Sequence, residues 1–211
     1  MLDKNIIERI FILFQKHNSH PKIELQYHNH FTLLISIILS AQTTDIMVNK
    51  VTPTLFAIAD TPYKMSLLNE NQIKKHIRSL GLYNIKAKNI LKTSKIITEK
   101  YNNQIPETFD ELMTLPGIGR KSANVVLNTL YHADTIGVDT HVFRVSNRIG
   151  LCKTKTVYST EKSLLKSIST KWRQFAHQWL VLHGRYICKS RKPQCSQCFI
   201  MHLCQFKNKK I

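Results

Sequence analysis

The sequence predicts an all-α protein. Apolar residues recur at helical spacing along nearly the whole chain, as in Ile6, Ile7, Ile10, Leu13 and Phe14. No stretch alternates with a period of two for long enough to require a sheet. Prolines and glycines punctuate the periodic stretches and should separate one helix from the next.

Taken in order, the Ile6 to Phe14 pattern sets the first helix, and Phe31, Leu34, Ile35, Ile38 and Leu39 set the second. Further helices are expected over residues 44–56, 62–68, 70–80, 85–101, 109–115, 120–131, 140–149, 160–169 and 171–186. Pro53 and Pro62 are read as breakers early on, and Gly81 and Pro106 bracket the 85–101 helix. Pro116 with Gly117, Gly137, Gly150 and Pro193 separate the later elements.

A length of 211 residues corresponds to one large domain or two small lobes, and 43% hydrophobic residues suffice for a globular core. Lys and Arg number 31 against 13 Asp and Glu, a formal net charge of +18. That excess makes nucleic acid the leading partner; the alternative is a lysine-rich face kept for solubility. A membrane partner is not expected. The longest apolar run, Phe31 to Leu39, is interrupted by Thr32 and Ser36 and is about half a spanning helix. The charge is also spread along the chain rather than gathered on one amphipathic helix. The segment Lys207 to Lys210 reads as a solvated end.

Cys188, Cys195, Cys198 and Cys204 form a C-x6-C-x2-C-x5-C pattern near the C-terminus. Four thiolates can complete the shell of a zinc ion or an iron–sulfur cluster. Disulfides are disfavoured, because Met1 to Arg9 carries charge throughout, unlike a secretion signal, and the expected compartment is reducing. Only Cys195 and Cys198 make a C-x2-C knuckle, whereas zinc ribbons usually pair two, so the spacing tilts toward iron–sulfur. The lone Cys152 is read as a small buried apolar residue.

Between two expected helices lies Leu115-Pro116-Gly117-Ile118-Gly119-Arg120-Lys121-Ser122-Ala123. Gly117 and Gly119 can bare backbone N–H groups, and a helix opening near Arg120 adds partial positive charge at its N-terminus. Such a hairpin can clamp a phosphate backbone without reading sequence.

This hairpin, the downstream Val138-Asp139-Thr140-His141-Val142-Phe143-Arg144 and the cysteine pattern together resemble the endonuclease III family of DNA base-excision glycosylases. Ser40-Ala41-Gln42-Thr43, Gly81-Leu82-Tyr83-Asn84 and Leu182-His183-Gly184-Arg185 stand in that family's order, so the resemblance covers nearly the whole chain. It implies a two-lobed helix-hairpin-helix glycosylase fold with a C-terminal cluster loop holding one 4Fe-4S cluster. The implied division is a six-helix lobe over residues 23–132, with the hairpin at about 109–131, and a second lobe from 1–22 plus 133–211. The N-terminal helix should return to pack on the C-terminal segment, with a DNA-binding cleft between the lobes.

By motif position, Lys121 is implied as the catalytic nucleophile and Asp139 as its assistant, on opposite walls of that cleft. The chemistry calls for an amine, because only an amine forms a Schiff base at the sugar C1′ and so acidifies the adjacent carbon for β-elimination. A lysine half neutral near pH 7 needs roughly 4–5 kcal/mol of help, and Arg120 and the helix N-terminus both push that way. Asp139 also suits an N-cap for the helix beginning at Thr140, and the two roles can coexist.

Base excision requires the target nucleotide to leave the stack. Gln42 is implied as the residue that bonds the orphaned partner base, and Leu82 as an apolar wedge. Lys189, Arg191 and Lys192, between the first two cysteines, should present cations to phosphate. Where many family members carry a basic residue before the second cysteine, this chain has Gln194, and one phosphate contact is in doubt. The cluster, with four protein ligands, is implied to position rather than to react.

The expected substrates are double-stranded DNA with oxidised pyrimidines or abasic sites, handled by a monomer in the bacterial cytoplasm, associated with the nucleoid. One alternative is an adenine glycosylase relative. That enzyme lacks the hairpin lysine, places a glutamate where this chain has Ile37 or its apolar neighbours, and carries a further recognition domain beyond the position of Ile211. The other is a non-catalytic iron–sulfur DNA-binding protein, against which Lys121 and Asp139 both count.

Overall fold

The computed structural model describes residues 2–209; Met1, Lys210 and Ile211 lie outside the described residues, and with them the end of the Lys207 to Lys210 tail. The described residues form eleven α-helices and one 3-10 turn, with no strand among them. The chain divides into two compact units, Ile23–Tyr131 and Met1–Lys22 with His132–Ile211.

The unit Ile23–Tyr131 is built around α2 (His30–Leu39), whose residues Phe31 to Leu39 are all buried. A helix that is apolar on every side belongs in the middle of a core. Asn29 and Thr32 close its first turn as a capping box. Three of its partners are α3 (Asp45–Phe56), α6 (Tyr83–Lys100) and α8 (Arg120–Tyr131). The short helices α4 (Pro62–Ser66), α5 (Glu70–Ile77) and α7 (Phe109–Thr114) complete the unit, each capped by a side chain, Thr61, Asn69 or Thr108.

Several sequence expectations shift here. This unit has seven helical segments, the seven that the periodicity predicted and one more than the six-helix lobe implied by the resemblance; the short α4 ends at Ser66 rather than residue 68 and has Pro62 in its first turn. Pro53 does not break α3; it sits in the last turn, where its missing N–H costs only one ladder bond. Helix α6 begins at Tyr83 rather than Ile85, directly after Leu82 turns the chain in a left-handed conformation. His132, expected in the central lobe, groups with the other unit, where its Nδ1 meets the Gln174 side chain at 2.9 Å.

The unit Met1–Lys22 with His132–Ile211 joins α1 (Lys4–His17) to α9 (Thr140–Ile149), α10 (Val157–Ser167) and α11 (Thr170–Tyr186). Its core is aromatic: Phe11 and Phe14 of α1 meet Trp172 and Trp179 of α11, with ring centroids 6.0–6.4 Å apart. Both indoles find hydrogen-bond partners, Trp172 Nε1 donating to Glu8 at 2.8 Å and Trp179 Nε1 to the Asn18 carbonyl at 2.8 Å. Helix α10 starts at Val157, ahead of the expected Thr160, because Thr156 and Ser159 form a capping box. Gly184 lets α11 approach α9; a Cβ there would stand 3.0 Å from His141 Cβ and 3.1 Å from Val145 Cγ2.

Candidate active site and cluster pocket

The hairpin consists of α7, the turn Leu115 to Gly119, and α8. The turn is pinned from below: the Pro116 carbonyl accepts from Thr93 Oγ1 at 2.9 Å, and Ile118 N donates to the Leu115 carbonyl at 3.1 Å. Its two glycines do different work. Gly117 has φ +88°, a conformation that an L side chain rarely adopts, and a Cβ there would lie 3.0 Å from Ile38 Cγ2. At Gly119 a Cβ would meet nothing within 4 Å, so its backbone faces open space. Lys121, half-buried, and Arg120, exposed, stand in the first turn of α8. The Arg120 guanidinium lies 4.9 Å from the centre of the Phe109 ring, which steadies it across the hairpin.

Gln42 and Leu82 lie in the same unit as the hairpin, and both are exposed non-glycine residues with positive φ, 53° and 61°. The backbone therefore holds two projecting side chains in a sparsely populated conformation, a feature that clusters at functional sites.

Asp139 belongs to the other unit and caps α9, its Oδ1 accepting from Val142 N at 2.8 Å. The capping role read from the sequence is thus real, and Asp139 is half-buried. Nearby on the same helix, burial pushes the His141 imidazole pKa down, opposed by the Asp139 carboxylate.

The four C-terminal cysteines are all free thiols and line one pocket of about 360 Å³, open solvent included, together with Ile149, Ile200 and Met201. Among the described residues no three His, Cys, Asp or Glu side chains converge closely enough to hold a single metal ion. The four cysteines share the lining of one pocket, and a donor set of four sulfurs suits a metal–sulfur cluster. Donors face two of the sulfurs, Arg148 Nη1 3.7 Å from Cys188 Sγ and Phe206 N 3.5 Å from Cys204 Sγ, and His183 Nε2 lies 3.6 Å from Cys198 Sγ. Burial pushes the Cys198 thiol up to about 11 and raises Cys204 as well, so a thiolate there is costly without a positive partner. Cys152 stays apart, fully buried in the core.

Two arginines that the sequence reading did not single out build the loop after Cys188. Arg148 donates to the Lys189 and Ser190 carbonyls, both at 2.7 Å, and Arg144 Nε donates to the Cys188 carbonyl at 3.1 Å. Lys189, Arg191 and Lys192 are left exposed on that loop, while Gln194 folds back, its N–H on the Ile187 carbonyl at 2.9 Å. The spacing of Arg144 and Arg148, one helical turn apart on α9, was the available signal.

A glycine-bearing hairpin above a lysine, with a thiol-lined pocket at the C-terminus, defines a helix-hairpin-helix DNA repair glycosylase with a metal cluster. Residues 35–172 match the family model of the HhH-GPD superfamily base excision DNA repair proteins, and residues 188–204 match that of the iron-sulfur binding domain of endonuclease III. The endonuclease III of Rickettsia conorii is 53% identical over 97% of this chain and 98% of its own. That of Escherichia coli K12 is 46% identical over 97% of this chain and 98% of its own. A solved endonuclease III trapped as a covalent intermediate with DNA, its adenine estranged, superposes with a TM-score of 0.90, 42% identity and 97% coverage of both chains. A non-covalent endonuclease III–DNA complex matches with a TM-score of 0.90, 43% identity, and coverage of 97% of this chain and 96% of that one.

The chain belongs to the endonuclease III family. It is a DNA-binding glycosylase and abasic-site lyase of base-excision repair with one 4Fe-4S cluster, whose binding domain spans residues 188–204, the segment that contains the four cysteines. When bound, that cluster supplies a covalent staple for the C-terminal loop. The adenine glycosylase and the non-catalytic binding protein are not favoured. No helix among the described residues is long and apolar enough to cross a membrane.

Proposed function

We propose that the enzyme excises oxidised pyrimidines from duplex DNA and cleaves the strand 3′ to abasic sites, with Lys121 as nucleophile. The observation that carries this reading is the hairpin itself: a turn with open backbone at Gly119 leads straight into the helical turn that bears Lys121. Gly117, Gly119 and Arg120 hold the phosphates on either side of the lesion, aided by the helix N-terminus. The Lys121 amine forms an N–C1′ bond as the glycosidic bond breaks, and the base leaves with the bonding pair and takes up a proton. Opening of the C1′–O4′ bond gives the iminium form of the Schiff base. Loss of a C2′ proton then drives the electron pair toward C3′ and expels the 3′ phosphate, after which water releases Lys121.

Asp139 steadies the positive charge that develops on the sugar, or takes the Lys121 proton before attack, while still capping α9. Gln42 pairs with the orphaned base and Leu82 fills the vacated stack. Lys189, Arg191 and Lys192 hold phosphate from the cluster loop. The protein acts as a monomer in the cytoplasm at the nucleoid, with residues 23–132 as the clamp lobe.

The test is borohydride trapping on a duplex with one thymine glycol, and on one with a preformed abasic site. A covalent adduct that disappears in Lys121→Ala is the expected result. No adduct from brown, cluster-loaded protein on either duplex overturns the Schiff-base reading. Asp139→Asn should slow trapping on the thymine glycol duplex by about a hundredfold, in the range of a lost general base.

A further inference from the structure

Lys86 is the one buried lysine among the described residues, 3% exposed on α6, in a chain otherwise studded with surface cations. An ammonium out of water is expensive, and burial pushes this one's pKa down. Stability is therefore a poor reason for its presence; a hydrophobic side chain would fill the space at less cost. What the ammonium does is donate to Thr43 Oγ1, across 43 residues of chain. The Thr43 hydroxyl reaches the Ala41 carbonyl at 3.3 Å, and Thr43 N donates to the Ser40 carbonyl at 3.1 Å. These bonds bracket Gln42, whose φ of 53° must be held against its own preference.

The other end of Lys86 holds the second strained residue. Its backbone N–H donates to the Leu82 carbonyl at 3.0 Å, closing the first turn of α6 behind a left-handed Leu82 that no side chain caps. Leu82 remains 51% exposed despite being apolar. One residue thus touches both segments that present an exposed side chain in an unfavourable conformation, with its main chain on one and its ammonium on the other.

We propose that Lys86, through Thr43, is a positioning residue that locks the Gln42 loop and the Leu82 turn into one preformed wedge. The proposal rests on the gap-filling roles of Gln42 and Leu82. A rigid pair enters the duplex together, so that ordering the loop does not add to the cost of unstacking the lesion.

The experiment uses cluster-loaded Lys86→Met, Thr43→Val, Thr43→Ser, Gln42→Ala and Leu82→Ala proteins. Wedge insertion is followed by stopped-flow fluorescence of 2-aminopurine beside a stable abasic-site analogue, and excision by single turnover on thymine glycol opposite each of the four bases. Lys86→Met and Thr43→Val should each slow insertion by about tenfold or more, as loss of a charge-assisted hydrogen bond predicts. Combining them should be no worse than either alone, and Thr43→Ser, which keeps the hydroxyl, should restore insertion. Both slow variants should also blur the preference among opposite bases, a readout that general loosening of the core does not move. If Lys86→Met fails to fold, the Thr43 pair decides the question.

Wild-type insertion in Lys86→Met and Thr43→Val, with Gln42→Ala and Leu82→Ala slow, overturns the proposal alone. Wild-type insertion and excision in Gln42→Ala and Leu82→Ala overturn the wedge reading, and the proposal with it.

Discussion

The two hairpin glycines should respond oppositely to the same added methyl. In Gly117→Ala the new side chain meets a φ of +88°, and its Cβ stands 3.0 Å from Ile38 Cγ2 and 3.1 Å from Asn89 Nδ2. The left-handed conformation alone costs about 1–2 kcal/mol for an L residue. Asn89 is half-buried and can swing aside, but Ile38 lies in the packed centre of α2, so displacing it adds about 1 kcal/mol. A total of about 2–3 kcal/mol should lower Tm by about 5–10 °C in a chain of this size. In Gly119→Ala the methyl touches nothing and the backbone lies outside the left-handed region, so fewer unfolded conformations should stabilise the fold by about 0.4–1 kcal/mol. That methyl instead occupies the side from which phosphate must reach the backbone, and affinity for an abasic-analogue duplex should fall about tenfold, the worth of one hydrogen bond. Thermal unfolding and equilibrium binding on both variants make the comparison. Equal destabilisation of the two, or a Gly117→Ala protein as stable as the parent, would refute the reasoning.

Three further outcomes follow from the other unit. Arg148→Met removes the two bonds to the Lys189 and Ser190 carbonyls, and amide exchange across residues 189–192 should accelerate, with faster bleaching of the cluster's visible absorbance under peroxide; unchanged exchange would mean the loop is held by the cluster alone. Arg191→Ala should reduce the slope of log K against log salt by about 0.9 without changing lesion preference, and an unaltered slope would remove Arg191 from the interface. The Glu8 carboxylate accepts from Lys171 and Trp172, which hold its pKa below the usual value of 4.5 against the opposing effect of burial. Its folded value being the lower one, its contribution is complete above pH 4.5 and fades as pH falls through the folded value. Glu8→Gln should therefore be less stable than the parent at pH 7, with the two Tm curves converging below pH 4.5; parallel curves down to pH 3 would contradict the linkage.

Helix placement was legible because apolar periodicity and caps are local signals, and the boundaries that moved did so for reasons a periodicity misses. Side-chain caps at Thr156 and Ser159 drew α10 forward by three residues, and a left-handed Leu82 let α6 begin as soon as the turn was complete. Pro53 shows the same limit from the other side, since a breaker at the very end of a helix has little left to break. The cysteine spacing and the glycine hairpin were readable because each motif lies within one short segment. Lys86 and Arg148 were not, because what distinguishes them is non-local: a lysine looks like solvent-facing charge until Thr43 is brought onto it, and Arg148 looks like surface until a loop 41 residues later closes over it. Gln42 and Leu82 sit between, located by motif, yet their strained backbone became visible only in three dimensions.

The aromatic contacts between α1 and α11 carry a consequence for the order in which the chain acquires its shape. Trp172 donates to Glu8 and Trp179 to Asn18, partners separated by 164 and 161 residues. The central unit is one continuous stretch and can fold as soon as it leaves the ribosome. The N-terminal helix, made first, has to wait for almost the entire chain before its core-facing Phe11 and Phe14 find Trp172 and Trp179. Contacts of such long range are slow to form, so α1 should be the late-docking element and the most exposed to chaperones during synthesis. The cysteines emerge later still, which makes iron–sulfur loading a final event that meets a terminal unit already gathering around its two tryptophans.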